Sequence, residues 1–375
     1  MKDIGISVYP DFYSVDAIGT YLKKAKELGF RKVFVSMILS NLGFKDSRKP
    51  DGGIWGNVFE TCRELGLEVS VDMNDVVLRQ LGCSQDNLRP LADMGITRIR
   101  IDSGFTNEQL VKLTGNSSEI ALEINASLSS ADNIGGCAFD DLKAMMELIE
   151  KYGNIKNLTA CHNFFPLPGT GLSMAYARAI NDLFKDYGIK VGGFAASQVS
   201  PRDLHQSGHG ICTIEAHRYL PPEIAMEELF SSGFDYVLIG DSLAGDNELK
   251  EMASCASEDI IEIPMVFYPY VTDEMKRELL SRVFLSRVDQ PERLIRADGS
   301  RGIHVAPCYC APRETYTVSV NNSNSGHYMG ELQIAMEDLG CSQEHNVIGL
   351  IHPFGRRLLE CIKYGQHQFK LVNKC

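Results

Sequence analysis

No apolar run in this chain approaches the ~18 residues of a membrane-spanning helix, and Met1-Lys2-Asp3 leads directly into a strand-like stretch instead of a signal-peptide core. The expectation is a soluble, cytoplasmic protein with no membrane partner. Basic residues are scarce as well: 37 Lys and Arg face 49 Asp and Glu, for a formal charge of -12. Binding nucleic acid or a membrane surface needs a basic face, so neither is expected, and an anionic substrate would have to be held by a few local cations. The eleven cysteines lack paired spacing, which fits reduced thiols in a reducing compartment. Cys308-Tyr309-Cys310 is one residue tighter than a redox or zinc pair requires, so no metal is expected there.

Several chemistries lack their signatures. No glycine-rich G-x-G-x-x-G stretch for a dinucleotide is present. An H-x-H pair on the first strand, as a metal hydrolase would carry, is missing. A Schiff-base enzyme needs a lysine at a strand's carboxyl end, yet Lys32 and Lys190 stand at strand starts.

What is present is a repeated unit. Strand-like stretches at 4-10, 32-38, 68-74, 98-104, 119-127, 158-165, 190-197 and 236-242 alternate with helical patterns near 14-28, 54-65, 84-94, 106-113, 138-152, 173-187, 222-232 and 246-256. Many of the strands end on polar residues, and Gly29, Gly66, Gly95, Gly153, Gly188 and Gly233 close helices just before the next strand. Eight such units predict an α/β fold, a (β/α)8 TIM barrel with its site at the carboxyl-end rim. The 375 residues exceed the roughly 250 typical of one barrel, so a second domain is expected. Domains of 1-257 (catalytic barrel) and 258-375 (small, β-rich) follow. The second has one helix near 273-285 and short strands near 302-306, 315-320, 330-336 and 346-351, separated by Asn, Gly and Pro turns.

Strand parity nominates the site, because successive side chains face opposite sides. Val69, Val71 and Met73 suit the helix layer, which leaves Asp72 and Asn74 pointing inward. By the same rule Arg100 and Asp102 face inward from the fourth strand, and Glu123 and Asn125 from the fifth. Ionised carboxylates are rarely buried without a partner or a purpose. Asp72, Asp102 and Glu123, close together, would push at least one pKa up, separating an acid from a base or nucleophile as glycoside cleavage requires. The plainer alternative is that Arg100 neutralises them in a structural ion network. His162 and Asn163 close the sixth strand, with Asn163 suited to a sugar hydroxyl or acetamido group and His162 equally suited to a structural role. Glu215 and Arg218 lie in the long connection after strand seven, where a functional pair and a solvated ion pair both fit. Asp241, after strand eight in Gly240-Asp241-Ser242, sits where many barrels bind phosphate through backbone donors, or it caps a helix or orients a catalytic group.

Five stretches carry a resemblance: Ile4-Gly5-Ile6-Ser7-Val8-Tyr9-Pro10; His162-Asn163-Phe164-Phe165-Pro166 with Thr170-Gly171-Leu172-Ser173; Thr213-Ile214-Glu215-Ala216-His217-Arg218; Tyr328-Met329-Gly330-Glu331-Leu332-Gln333-Ile334; and Asn346-Val347-Ile348-Gly349-Leu350-Ile351. Together they resemble the intracellular 6-phospho-N-acetylmuramidases over nearly the full chain. The resemblance implies a TIM barrel joined to a cyclophilin-like β domain, and hydrolysis of the β-1,4 bond of N-acetylmuramic acid 6-phosphate-N-acetylglucosamine in peptidoglycan recycling. Its partner is thus an anionic phosphorylated amino-sugar disaccharide, and no cofactor is implied. Leu167, where a polar or basic residue is expected, and Cys212, where proline is expected, depart from the pattern. The roles rest on parity: Asp72 or Glu123 protonates the bridging oxygen, and Asp102 is the next candidate to stabilise or attack the oxocarbenium-like centre. Asn74, Asn125 and Asn163 bind hydroxyl or acetamido groups, and Arg100, Arg218 and Arg301 meet the phosphate and lactyl carboxylate. Another phosphosugar hydrolase or isomerase on the same barrel, or a sugar-phosphate sensor without turnover, is the alternative. Whether the chain forms a homo-oligomer is left open by its sequence.

Overall fold

The computed structural model describes residues 1–37, 53–101, 105–127, 138–201, 208–289, 291–363 and 367–374. The chain divides into two compact units, Lys2–Ala256 and the residues from Ser257 onward. Among the described residues no helix is long and apolar enough to cross a membrane.

The first unit is a closed barrel of eight parallel strands in chain order, β8 returning to pair with β1. The strands are β1 (Asp3–Val8), β2 (Lys32–Ser36), β3 (Glu68–Met73), β4 (Arg98–Ile101), β5 (Ala121–Asn125), β6 (Leu158–Cys161), β7 (Val191–Ala195) and β8 (Tyr236–Ile239). Around them run α1 (Val15–Glu27), α2 (Gly53–Glu64), α3 (Asp75–Gln80), α4 (Arg89–Asp93), α5 (Asn107–Thr114), α6 (Ala138–Tyr152), α7 (Met174–Asp186), α8 (Pro222–Ser231) and α9 (Asp246–Ser257). Side-chain oxygens at the helix starts satisfy first-turn N–H groups. Ser14 caps α1 and Ser173 caps α7, while Thr106 and Gln109 form a reciprocal capping box on α5. The single helix expected at 84-94 is instead a turn followed by the short α4. Pro90 fits only the first turn of a helix, so α4 starts at Arg89, and Ser84 pairs with Asn87 ahead of it.

Parity is kept around the barrel. Val69, Val71, Met73, Ile99, Ile101, Leu122 and Ile124 are buried between strands and helices. Inside the barrel, a separate apolar cluster of Tyr9, Phe34, Cys161, Phe194, Ile211, Tyr236 and Leu238 packs with Phe164. The Phe34, Phe164 and Phe194 rings meet edge to face at centroid distances of 5.2 to 5.6 Å, the arrangement that ring quadrupoles favour.

The second unit is a closed barrel of seven strands, β9 (Ile261–Phe267), β10 (Phe284–Ser286), β11 (Leu294–Asp298), β12 (Thr317–Asn321), β13 (Leu332–Ala335), β14 (His345–Ile351) and β15 (Gln368–Asn373). All its pairs are antiparallel except β9 with β15. It also carries α10 (Asp273–Leu280) and α11 (Leu358–Lys363). The strands expected near 315-320, 330-336 and 346-351 are present, but 302-306 is not a strand. Val305 is buried there and its carbonyl accepts the Ser323 N–H, without a ladder. Pro307 follows directly, and proline cannot donate to one.

Gly192 shows how tightly the first barrel is filled. A Cβ built on it would fall within the Tyr236 ring. We expect Gly192→Ala to destabilise the protein by about 1–3 kcal/mol through overpacking, read as a lower urea midpoint; an unchanged midpoint would mean that the ring has room to move.

Candidate active site

The carboxyl end of the first barrel gathers a compact polar group. Asp72, next to last in β3, accepts the Ser36 hydroxyl at 2.7 Å and the Met37 backbone N–H at 2.6 Å, so the exit of β2 holds it. Asp241, just past β8, accepts the backbone N–H groups of Ser197 at 2.8 Å and Ile211 at 3.2 Å. Between them lies Tyr9, just past β1, whose hydroxyl donates to the Gly240 carbonyl at 2.6 Å. Its phenol is pushed well above the ordinary range, first by burial and then by the charges of Asp241 and Asp72, with Arg100 acting the other way. That ring therefore senses both carboxylates and the guanidinium at once.

Arg100 is 1% exposed. Its guanidinium carbon lies 5.7 Å from the Phe34 ring centroid and 5.8 Å from that of Phe194, cation–π contacts that strengthen once water is excluded. Its Nη2 donates to Asn163 Oδ1 at 3.0 Å, and Asn163 is further fixed by Thr213 on its carbonyl and Ser127 on its N–H. Asn125, at the end of β5, accepts the Ser127 N–H at 2.9 Å. Asp72, Arg100, Asn125, Asn163 and Asp241 are thus the sequence-nominated residues found at this end.

Glu123 is not among them. Its carboxylate accepts the Tyr236 hydroxyl at 2.6 Å and has the Arg98 guanidinium 3.8 Å away. Tyr236 and Arg98 open β8 and β4, and with Lys32 and Glu68 they line the small amino-end cavity where Glu123 lies. Tilt is the reason. Ser36, Asp72, Arg100 and Glu123 are successive register partners, but in a barrel of tilted strands such a row changes height as it winds. It starts at the last residue of β2 and reaches only the third of five in β5. Parity predicted the face correctly and says nothing of the level.

Other nominated residues serve local structure. Asn74 caps α3, its side-chain oxygen accepting the Val77 N–H at 2.9 Å. His162 points into the helix layer: Nε2 meets Asn181 Oδ1 at 2.8 Å and Nδ1 meets Ser127 Oγ at 3.2 Å. Burial pushes its pKa down to about 4, so the ring is neutral near pH 7. Arg218, expected to meet the phosphate, has its five donors engaged within the protein: Nε and Nη2 on Glu215, Nη1 on the carbonyls of Phe165 and Gly210, and Nη2 also on that of Leu167. Glu215 in turn accepts the N–H groups of Gly169 and Gly171, and the Arg218 hydrogen bond first among these holds its carboxyl down to about 2. The pair is a latch on the loop after β6. The Leu167 side chain is exposed and only its carbonyl is used, so the latch does not dictate the residue there. Cys212 is buried and its thiol is pushed up to about 12.

Beyond the Gly240-Asp241-Ser242 turn, where a phosphate was expected, a carboxylate of the protein occupies nearby donors. The Glu248 carboxylate of α9 already takes the N–H of Gly245 at 3.0 Å, that of Gln198 at 2.6 Å and the Ser197 hydroxyl at 2.6 Å, so the protein supplies its own anion. Arg301 lies in the second unit on Glu331. Asp102 lies outside the described residues. Among the described residues no cluster of His, Cys, Asp and Glu could hold a metal ion.

Sequence reasoning passed over Tyr9 and Ser36. Ser36 ends β2 and Tyr9 directly follows β1, the position that flagged the others, but neither carries a charge.

The neutral His162 has a consequence for acid stability. Its folded pKa lies below the unfolded value, so between pH 6.5 and about 4 the unfolded chain binds the extra proton and stability falls as pH falls. The loss is of order 3 kcal/mol. We expect urea midpoints of the wild type to fall across that window and those of His162→Gln to fall less; equal slopes would overturn this account.

Comparison with known proteins places this geometry. No curated protein sequence matches the chain. Two solved structures are similar over almost its whole length. An uncharacterized B. cereus protein is 25% identical, with 99% of each chain covered and a TM-score of 0.81. A conserved protein of unknown function from a locus in Enterococcus faecalis is also 25% identical, with 99% of this chain and 96% of that one covered and a TM-score of 0.74. The family model "6-phospho-N-acetylmuramidase, N-terminal" matches residues 4–254, and "6-phospho-N-acetylmuramidase, C-terminal" matches residues 261–372. With both units matched in order, the chain belongs to the 6-phospho-N-acetylmuramidase family, glycosidases built on this barrel.

Proposed function

We propose that the carboxyl end of the first barrel hydrolyses the β-1,4 bond of N-acetylmuramic acid 6-phosphate-N-acetylglucosamine in peptidoglycan recycling, releasing the phosphorylated muramic acid and N-acetylglucosamine. The observation that carries this reading is the family match along both units. Glycoside cleavage asks for two carboxyl groups, one to protonate the leaving oxygen and one to attack, to stabilise the oxocarbenium-like centre or to activate water.

Asp72 and Asp241 are the pair we assign. Both belong to the group around Tyr9, and they are held differently. Asp241 accepts from backbone N–H groups, which cannot turn to accept a proton, and this suits the partner that stays charged. Asp72 accepts the Met37 N–H at Oδ1, but its Oδ2 faces the Ser36 hydroxyl, which accepts as readily as it donates, and this second oxygen suits the proton carrier. Glu123, at the amino end, drops out of the catalytic set. Arg100 offsets the two carboxylates and orients Asn163, and with Asn125 this amide is suited to hydroxyl or acetamido groups of the sugar. A reducing, cytoplasmic compartment fits the nine described cysteines, all free thiols. We class the second unit as cyclophilin-like, which its closed, mainly antiparallel sheet supports.

The direct test incubates the pure protein with the phosphorylated disaccharide, its unphosphorylated form and a 6-phosphoglucoside. Cleavage of the first alone is expected, and binding without products would make the protein a sensor. Among variants, Asp72→Asn and Asp241→Asn should each lower kcat by about 100- to 10,000-fold while substrate still binds. Glu123→Gln should lower the melting temperature and leave kcat within a few-fold of wild type. The reverse pattern would return catalysis to Glu123.

A further inference from the structure

The second unit contains a polar cleft of its own. The cleft has a volume of about 420 Å³ and is lined by residues including Arg296, Asn321, Tyr328, Glu331, Glu344 and His345. Small-molecule sites commonly measure about 300–1,000 Å³, so its size is that of a binding site.

Its floor is rigid. Glu331, at the entrance to β13, is fully buried and accepts Arg296 through Nε and Nη2, each at 2.9 Å, the Nε of Arg301 at 2.9 Å and the Nε2 of Gln333 at 2.9 Å. Burial alone would raise its pKa, but these donors hold the carboxyl down to about 2 and keep it ionised. Both guanidinium groups also lie over the Tyr328 ring, at 5.5 Å and 5.0 Å from its centroid. The half-exposed ring is thereby held in one orientation.

Asn321, the last residue of β12, points to a ligand. It is 3% exposed, and its backbone N–H and carbonyl are used by Glu331 and Gly330. Its carboxamide lines the cleft, and Oδ1 is buried without a hydrogen-bond partner among the described residues. Folded proteins match nearly all such groups.

The lining selects the chemistry. An apolar ligand would leave the Asn321 amide unmatched. A metal ion would find the Glu331 carboxylate already surrounded by cations. A ring bearing hydroxyl groups satisfies the amide and the Glu344 carboxylate while its C–H face covers the aromatic ring. We propose that this cleft of the second unit is a further saccharide site, taking a single pyranose ring through Asn321, Glu344 and Tyr328.

Titration of the 15N-labelled full-length protein tests this without turnover. N-acetylglucosamine, glucose 6-phosphate and inorganic phosphate are added separately. Saturable shifts of the Asn324, Ser325 and Tyr328 amide signals are expected with a sugar, and they should persist in the Asp72→Asn protein, whatever becomes of hydrolysis. Tyr328→Ala, at a half-exposed side chain, and Asn321→Ala should each weaken binding about tenfold or more. Tighter binding of glucose 6-phosphate would identify an anionic sugar as the occupant, and tighter binding of N-acetylglucosamine a neutral one. No saturable shift with either sugar, the same shifts with inorganic phosphate alone, or unchanged affinity in Tyr328→Ala would overturn the proposal.

Discussion

Arg100 seated on the phenylalanine triad is the contact around which the first barrel is organised. Phe34, Phe164 and Phe194 close the interior, and a fully buried guanidinium rests against two of those rings. A buried cation must be balanced by charge or hydrogen bonds, and this requirement accounts for what surrounds it. Asn163 accepts from it, and the carboxylates of Asp72 and Asp241 share its field at Tyr9. The apolar layer separates these groups from a second ionic set at the amino end, where Glu123 pairs with Tyr236 and Arg98. One cylinder thus holds two polar ends that differ in role: barrel chemistry resides at carboxyl ends, while the opposite face serves stability.

The loops above the rim are anchored by charge used internally. Arg218 and Glu215 together bind carbonyls and N–H groups from Phe165 to Gly171, and Glu248 takes donors from the β7 exit. Rigid loops hold reacting groups close to their working geometry, which is where much of an enzyme's advantage originates. The charged residues that look most like substrate ligands in the sequence are here the ones that hold the loops in place. The second unit uses the same device: buried Glu331 gathers Arg296 and Arg301 and sets the wall of the polar cleft.

Legibility in the sequence followed the range of the interaction. Alternation and helix caps are local, so the eight strands and the buried faces of β3, β4 and β5 could be read directly, as could the inward direction of Asp72, Arg100 and Asn125. Segments failed where the local signal was weak. β10 has three residues, β11 alternates over only five, and 302-306 has an apolar look without a ladder partner. The five short motifs lie on strands β1, β13 and β14 and on the loops after β6 and β7.

What the amino-acid sequence determined by itself is the repeat, the inward face of Asp72, Arg100, Glu123 and Asn125, and the family, since all three depend on neighbours along the chain. Only the tertiary structure decided height and pairing. The tilt of closed strands placed Glu123 at the amino end and Asp72 at the rim, although the two stand in one register row. It also decided that Arg218, His162 and Asn74 bind the protein's own groups. Those outcomes depend on residues tens of positions away, brought close by barrel closure, and no local pattern encodes them.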